Sequence, residues 1–221
     1  TNMKIIDAHK GAYEYTTYFE GLAGHSSQPH KGVSAVEYAV RYVNKLIELR
    51  KKLKDRAPKN SIFDPPYSTL SVGGIFGGIA HNVISDKCHV KWETRPVVKD
   101  DAIFLNSEID KYVNENLLPD MKKIFPDSKI SKEIIGEIIG FNRDEKSEAC
   151  EFISSIIGDN SRNVVSFGTE AGLFQEIGIS TAVCGPGSIE QAHKIDEFIQ
   201  LEEINKCLNF LTGVKDKSIF K

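Results

Sequence analysis

At 221 residues the chain is long enough to bury a real core, as one large domain or two small ones. Its 28 Lys and Arg against 31 Asp and Glu give a net charge of -3, which offers no electrostatic footprint for nucleic acid or an anionic membrane and points to a small-molecule or protein partner. No apolar run reaches the length of a membrane span, and Cys88, Cys150, Cys184 and Cys207 form no CxxC pair, so reduced thiols in a cytoplasmic protein are expected.

The first residue is Thr rather than Met, and no signal-peptide pattern follows it; the expected start lies further upstream. Tyr13, Tyr15, Thr17 and Phe19 alternate with Glu14, Thr16 and Tyr18, which predicts a strand. A Gly, Ser, Pro and His cluster at 24–32 interrupts it. Ser34 and Glu37 then form a capping box ahead of Val36, Val40, Val43 and Ile47, predicting an amphipathic helix that closes in the basic run 50–56. Asp64-Pro65-Pro66 forbids helix and opens an extended segment at 68–75. In a further strand, 88–97, Val90, Trp92 and Thr94 face one way and His89, Lys91, Glu93 and Arg95 the other. A second helix is expected over 102–124 and a fourth strand over 129–139.

Strand, helix, strand, strand, helix, strand is the ferredoxin-like α+β order, with two helices on one face of an antiparallel sheet. Beyond 142–146 the elements become short: helix at 147–157, strand at 163–167, helix at 170–177, strand at 180–184. A closing helix is marked by Leu201, Ile204, Leu208 and Leu211. This alternation predicts a partial α/β segment with parallel strands, a piece of a larger domain because two short strands cannot be covered on both faces. The expected division is 1–11 as a strand and linker of that domain, 12–141 as the ferredoxin-like domain, and 142–221 as the rest.

Three stretches carry chemistry. Gly185-Pro186-Gly187-Ser188-Ile189-Glu190-Gln191-Ala192-His193 follows a predicted strand end, where ligand residues prefer to sit. His193 is a suitable zinc donor, with Glu190, Asp196 and Glu197 near it, yet the spacing matches no self-contained zinc motif and by itself favours a surface or structural role. His25, in Gly24-His25-Ser26-Ser27-Gln28-Pro29-His30, could donate to a developing oxyanion, and His30 could act as a base; capping or solvent roles compete. Gly168-Thr169-Glu170 forms a strand-to-helix turn whose amides could hold an anion, with simple helix capping by Thr169 an equal reading.

The stretches AHKGAYEYTTYFEGLAGHSSQPHKGVSAVEYA, IFGGIAHNVISDKCHVKWETRP, SFGTEAGLFQ and CGPGSIEQAHKIDEF together resemble the di-zinc deacetylase, desuccinylase and carboxypeptidase family, in the family's order and over nearly the whole chain. The resemblance implies a zinc-binding α/β domain interrupted by a ferredoxin-like lid that also forms a homodimer. It implies hydrolysis of a small N-acyl amino acid by water activated between two zinc ions, with cobalt as an ion that could replace them. By the same resemblance His193 is the last zinc ligand, His25 stabilises the oxyanion in the partner subunit's site, Asn82 and Arg95 contact the substrate carboxylate, and Gly168, Thr169 and Glu170 form a substrate loop.

The family's His-x-Asp motif, its paired glutamates and the acidic ligand expected just before Thr1 do not occur in this sequence, so the chain alone is expected to bind no stoichiometric zinc and to be inactive. GSIEQAHK and SFGTEAGLFQ favour the deacetylase branch over desuccinylase, aminoacylase or dipeptidase. A free-standing ferredoxin-like module for dimerisation or binding suits 12–141, but leaves the α/β region and the His193 loop without a purpose.

Overall fold

The computed structural model describes residues 1–219. The chain forms two units: unit 1 joins Thr1–His9 to the chain from Ile139 onward, and unit 2 is Lys10–Ile138. The sequence reading put the corresponding boundaries at 11/12 and 141/142.

Unit 2 is built on a four-stranded antiparallel sheet of order β4-β6-β2-β7, from β2 (Ala12–Glu20), β4 (Thr69–Gly77), β6 (Lys87–Arg95) and β7 (Lys129–Ile138). Preceding it in the chain is β1 (Ile6–His9) of unit 1. The aromatic residues predicted on one face of β2 join Val90 and Trp92 of β6 in the main core, against helices α1 (Ala35–Asp55) and α2 (Lys99–Tyr112). Two-residue strands β3 (Gly24–His25) and β5 (Val83–Ile84) pair beside this sheet.

Ser34 caps α1, its hydroxyl accepting the Glu37 amide at 3.3 Å. The buried stripe of α1 is, however, Ala35, Ala39, Tyr42, Leu46, Leu49 and Leu53, one residue out of phase with the predicted Val36, Val40, Val43 and Ile47; Val40 is 45% exposed. Small Ala35 and Ala39 let the helix approach the sheet, whose Phe19 and Trp92 supply the bulk. The helix expected over 102–124 is α2, a π-helical turn at Val113–Leu117, and α3 (Leu118–Ile124). Pro119, which has no N–H to donate, accounts for the broken ladder.

Unit 1 pairs β1 in parallel with β8 (Asn163–Val165), and adds α4 (Glu148–Ile157), α5 (Ala171–Glu176) and α6 (Leu201–Ile219). Ser147 caps α4, and Gly158, at φ 73°, ends it in the left-handed conformation. The strand predicted at 180–184 reduces to one bridge, Val183 with Ile6. Ser180 is drawn away to accept the Ala149 amide of α4 at 3.0 Å, and the Gly185-Pro186-Gly187 turn follows at once, leaving no length for a ladder. No helix among the described residues is long and apolar enough to cross a membrane.

Inside unit 2 one polar chain crosses the apolar core. The Trp92 indole N–H donates to the Thr17 hydroxyl at 3.0 Å, and that hydroxyl donates to the Tyr42 phenol at 3.0 Å. Tyr15 stacks on Trp92 at 4.4 Å, and burial raises the pKa of both tyrosines above the ordinary phenol value. Thr17→Val keeps the shape and strands both partners without a hydrogen bond, so it should destabilise unit 2 by about 2 kcal/mol. Urea unfolding followed through the fluorescence of the single tryptophan measures this; an unchanged midpoint would show that the chain of bonds contributes nothing.

Candidate functional site

His25 is presented by β3 and is exposed. Its Nδ1 accepts the Ser27 amide at 3.2 Å and lies 2.8 Å from the Ser27 hydroxyl. A backbone N–H can only donate, so in the neutral ring the proton sits on Nε2, turned outward as a donor. The β3–β5 pairing brings Asn82 to the same end of unit 2, where its carbonyl accepts the Ser26 amide at 3.0 Å. Gly32 makes this fit possible, since a Cβ there would lie 2.6 Å from the Ile84 methyl.

Arg95 stands apart from this pair. It ends β6, eight residues beyond Lys87, or about 26 Å along the strand. Its guanidinium is half-buried on the polar face and donates from Nη2 to Glu93 at 2.8 Å. This fixes the head group while a guanidinium's five N–H groups leave capacity for a second acceptor.

In unit 1 the Gly168-Thr169-Glu170 turn is organised by His9, a residue that pattern reading did not single out. His9 ends β1 and is 1% exposed. The Thr169 amide donates to its Nε2 at 3.2 Å, and the Thr169 hydroxyl lies 2.9 Å from the same nitrogen. The Ala171 amide donates to the Thr169 hydroxyl at 3.2 Å. The Thr169 hydroxyl thus holds the amide that opens α5, while Glu170 occupies the N-cap position of that six-residue helix. The only hint in sequence was the position of His9 inside the stretch AHKG, since its partner lies 160 residues away.

His193 lies on the exposed loop between Val183 and α6, in the left-handed region at φ 61°, as does Asp196 at φ 59°. Glu190, Asp196 and Glu197 are exposed as well, and among the described residues no three His, Cys, Asp or Glu side chains converge as a metal-holding group. The structure thus brings together His25 with Asn82 and, separately, His9 with Thr169. Arg95, at the far end of β6, and His193, on its own loop, take part in neither of these contacts.

Residues 7–121 match the family described as peptidase dimerisation domain, M20. The chain belongs to the M20 dimerisation-domain family. It is 35% identical over 214 residues to an acetylornithine deacetylase of Erwinia tasmaniensis and 34% identical, also over 214, to one of Pectobacterium atrosepticum, in each case across 97% of this chain and 54% of the relative. The chain thus spans about half the length of these relatives. Among solved structures, the aminopeptidase PepT of Bacillus cereus superposes with a TM-score of 0.67 at 20% identity, over 96% of this chain and 53% of that one. A tripeptidase of Staphylococcus aureus gives 0.69 at 14%, over 95% and 52%. These likenesses show a shared fold, and the sequence matches continue through both units, beyond what a free-standing dimerisation module would need.

Replacing His9 by Leu should leave the Thr169 amide without its acceptor. Hydrogen exchange at that amide is expected to accelerate about ten-fold, the loss of one hydrogen bond; an unchanged rate would remove His9 from the support of the turn.

Proposed function

We propose that this chain is the lid and the C-terminal part of the catalytic domain of a metal-dependent amide hydrolase that removes the acetyl group from N-acetylornithine, a step of arginine biosynthesis. The observation that carries the reading is the match along 97% of the chain to proteins named acetylornithine deacetylase. In this reading unit 2 is the ferredoxin-like lid, 12–141 in the sequence division, which the strand order β4-β6-β2-β7 supports. Residues 1–11 and 142–221 belong to the catalytic domain. The protein is a homodimer through the lid, in keeping with the matched dimerisation family.

His25 is the group that meets the reaction. With its proton held on Nε2 it donates to the oxyanion that develops when water adds to the amide carbon, reaching the partner subunit's site. Asn82 and Arg95 contact the substrate carboxylate and, standing toward opposite ends of β6, would do so from the lids of two subunits, Arg95 with a guanidinium already set by Glu93. Gly168, Thr169 and Glu170 line the substrate on the catalytic side, on a turn fixed by His9. His193 would be one donor to zinc, the ion that in this family would activate the water. The residues present do not make a zinc site by themselves, because among the described residues no three His, Cys, Asp or Glu side chains come together around a common point. The Asn2 amide donates to the Gly187 carbonyl at 2.8 Å, tying this loop to the segment ahead of β1.

Purified alone, the chain should hold no zinc pair and hydrolyse no N-acetylornithine; metal analysis finding two bound ions with turnover would overturn that. In a version extended to the relatives' full length, a panel of N-acetyl, N-succinyl and dipeptide substrates should favour N-acetylornithine, and preference for another member would move the substrate. In the same version His25→Ala should lower kcat by about 10²- to 10³-fold with little change in KM, the loss of one oxyanion donor. An unaltered kcat would remove His25 from the chemistry.

A further inference from the structure

Unit 1 is short of core. Its buried apolar cluster consists of Ile5, Cys150 and Ile153, whereas unit 2 gathers seventeen residues. Twelve of the twenty-four exposed large apolar side chains among the described residues fall between 173 and 211, so the deficit and the excess lie in the same unit. An isolated segment of this kind does not bury enough apolar surface to offset its chain entropy.

The excess is organised. Helix α6 packs one face on α4, so closely that a Cβ at Gly213 would meet the Ile156 methyl at 2.6 Å. Leu201, Ile204, Leu208 and Leu211 recur at helical spacing on another face, turned roughly 160° away from Gly213 at 3.6 residues per turn. They are 78%, 37%, 57% and 53% exposed. Phe198, 57% exposed, leads into the same helix. A helix apolar on two faces is made to be covered on both. The parallel pair β1-β8 says the same, since parallel sheets occur with several strands and both faces covered.

Two occupants can be weighed. A second copy is disfavoured because the matched dimerisation domain ends at residue 121, which assigns self-association to another part of the chain. The chain covers only 54% of its relatives, and what they have beyond it is a polypeptide long enough to supply strands and helices. We propose that the α6 face and its flanks at 173–199 are the docking surface for a segment equivalent to that remaining part of the relatives. We further propose that the segment docks there even as a separate polypeptide. This rests on the functional reading above, in which that part supplies the rest of the catalytic domain.

The test co-expresses the tagged chain with the untagged part of the Erwinia tasmaniensis deacetylase that this chain does not match. A complex with one segment per chain is expected. Leu208→Asp with Leu211→Asp should reduce the retained segment at least ten-fold, while Ile103→Asp, at an equally exposed position on α2 of unit 2, should leave it unchanged. Far-UV circular dichroism checks the folding of the variant, and Leu201→Asp, near the exposed start of α6, is the second probe of the same face. No retained segment, retention indifferent to these substitutions, or self-association that they abolish in place of segment binding would each overturn the proposal. A complex that forms as expected but hydrolyses no N-acetylornithine with zinc would leave the docking surface standing and sink the functional reading. If the relative's own two parts rebuild an active enzyme while this chain retains nothing, the surface fails and the reading stands.

Discussion

The pairing of β2 with β7 makes this arrangement possible. The chain leaves unit 1 at His9, makes all of unit 2, and returns at Ile139, so the two ends of unit 2 must lie side by side. Antiparallel register places Ala12 opposite Ile138, and on the other side of the boundary His9 and Phe141 exchange backbone hydrogen bonds at 2.9 Å. Gly11 sits at the crossing, where a Cβ would meet Pro96 at 2.9 Å and the Ile138 carbonyl at 3.2 Å. A domain whose ends meet can be inserted into another without breaking its host's pairing. The insertion is therefore a consequence of one strand register rather than of any long linker.

The two units differ in what holds them. Unit 2 rests on apolar burial, with the Trp92, Thr17 and Tyr42 bonds fixing which aromatic meets which. In unit 1, polar groups carry much of the order. Asp7, 2% exposed, receives both Nε and Nη2 of Arg143 at 2.7 and 2.9 Å, tying β1 to the segment ahead of α4. Thr1, Met3 and Gly185 to Gly187 are stitched by backbone bonds. Such bonds select a conformation but add little net stability, about 1 kcal/mol each. A unit ordered mainly by them is specified more firmly than it is stabilised.

This difference also explains what could be read from the sequence. Elements of unit 2 with strong periodicity, such as the strand around Tyr15 and Phe19, were legible because their burial follows from alternation alone. The face of α1 was not, because hydropathy ranks Val36 and Val40 above Ala35 and Ala39, while close helix–sheet approach selects the small residues. Thr16, on the polar side of β2, is 4% exposed because both neighbouring strands flank it, at Lys91 and Glu133. The segment at 180–184 has strand composition, yet its serine is claimed by the cap of α4. Among site residues, His25 and Asn82 could be named but not joined, since strands of two residues leave no periodic signal. His9 could not be assigned a task at all, its partner being so distant in sequence.

The same contrast separates the two histidines on which the proposed function draws. The donor at His25 is preset by a local turn, where Ser27 two residues on fixes the ring tautomer, so it does not depend on any distant element. His193 is in the opposite situation. It and Asp196 both adopt the left-handed region, at a cost on the order of 1 kcal/mol or more for a residue with a Cβ. Such conformations persist where surroundings over-determine them; this loop is anchored at Gly187 by Asn2 and Glu203, but the bonds nearest His193, Ala192 to Ile189 and Lys194 to Gln191, are short-range, and both side chains face solvent. Ligation of His193 by a metal, or contact with a docked segment, would supply the missing constraint.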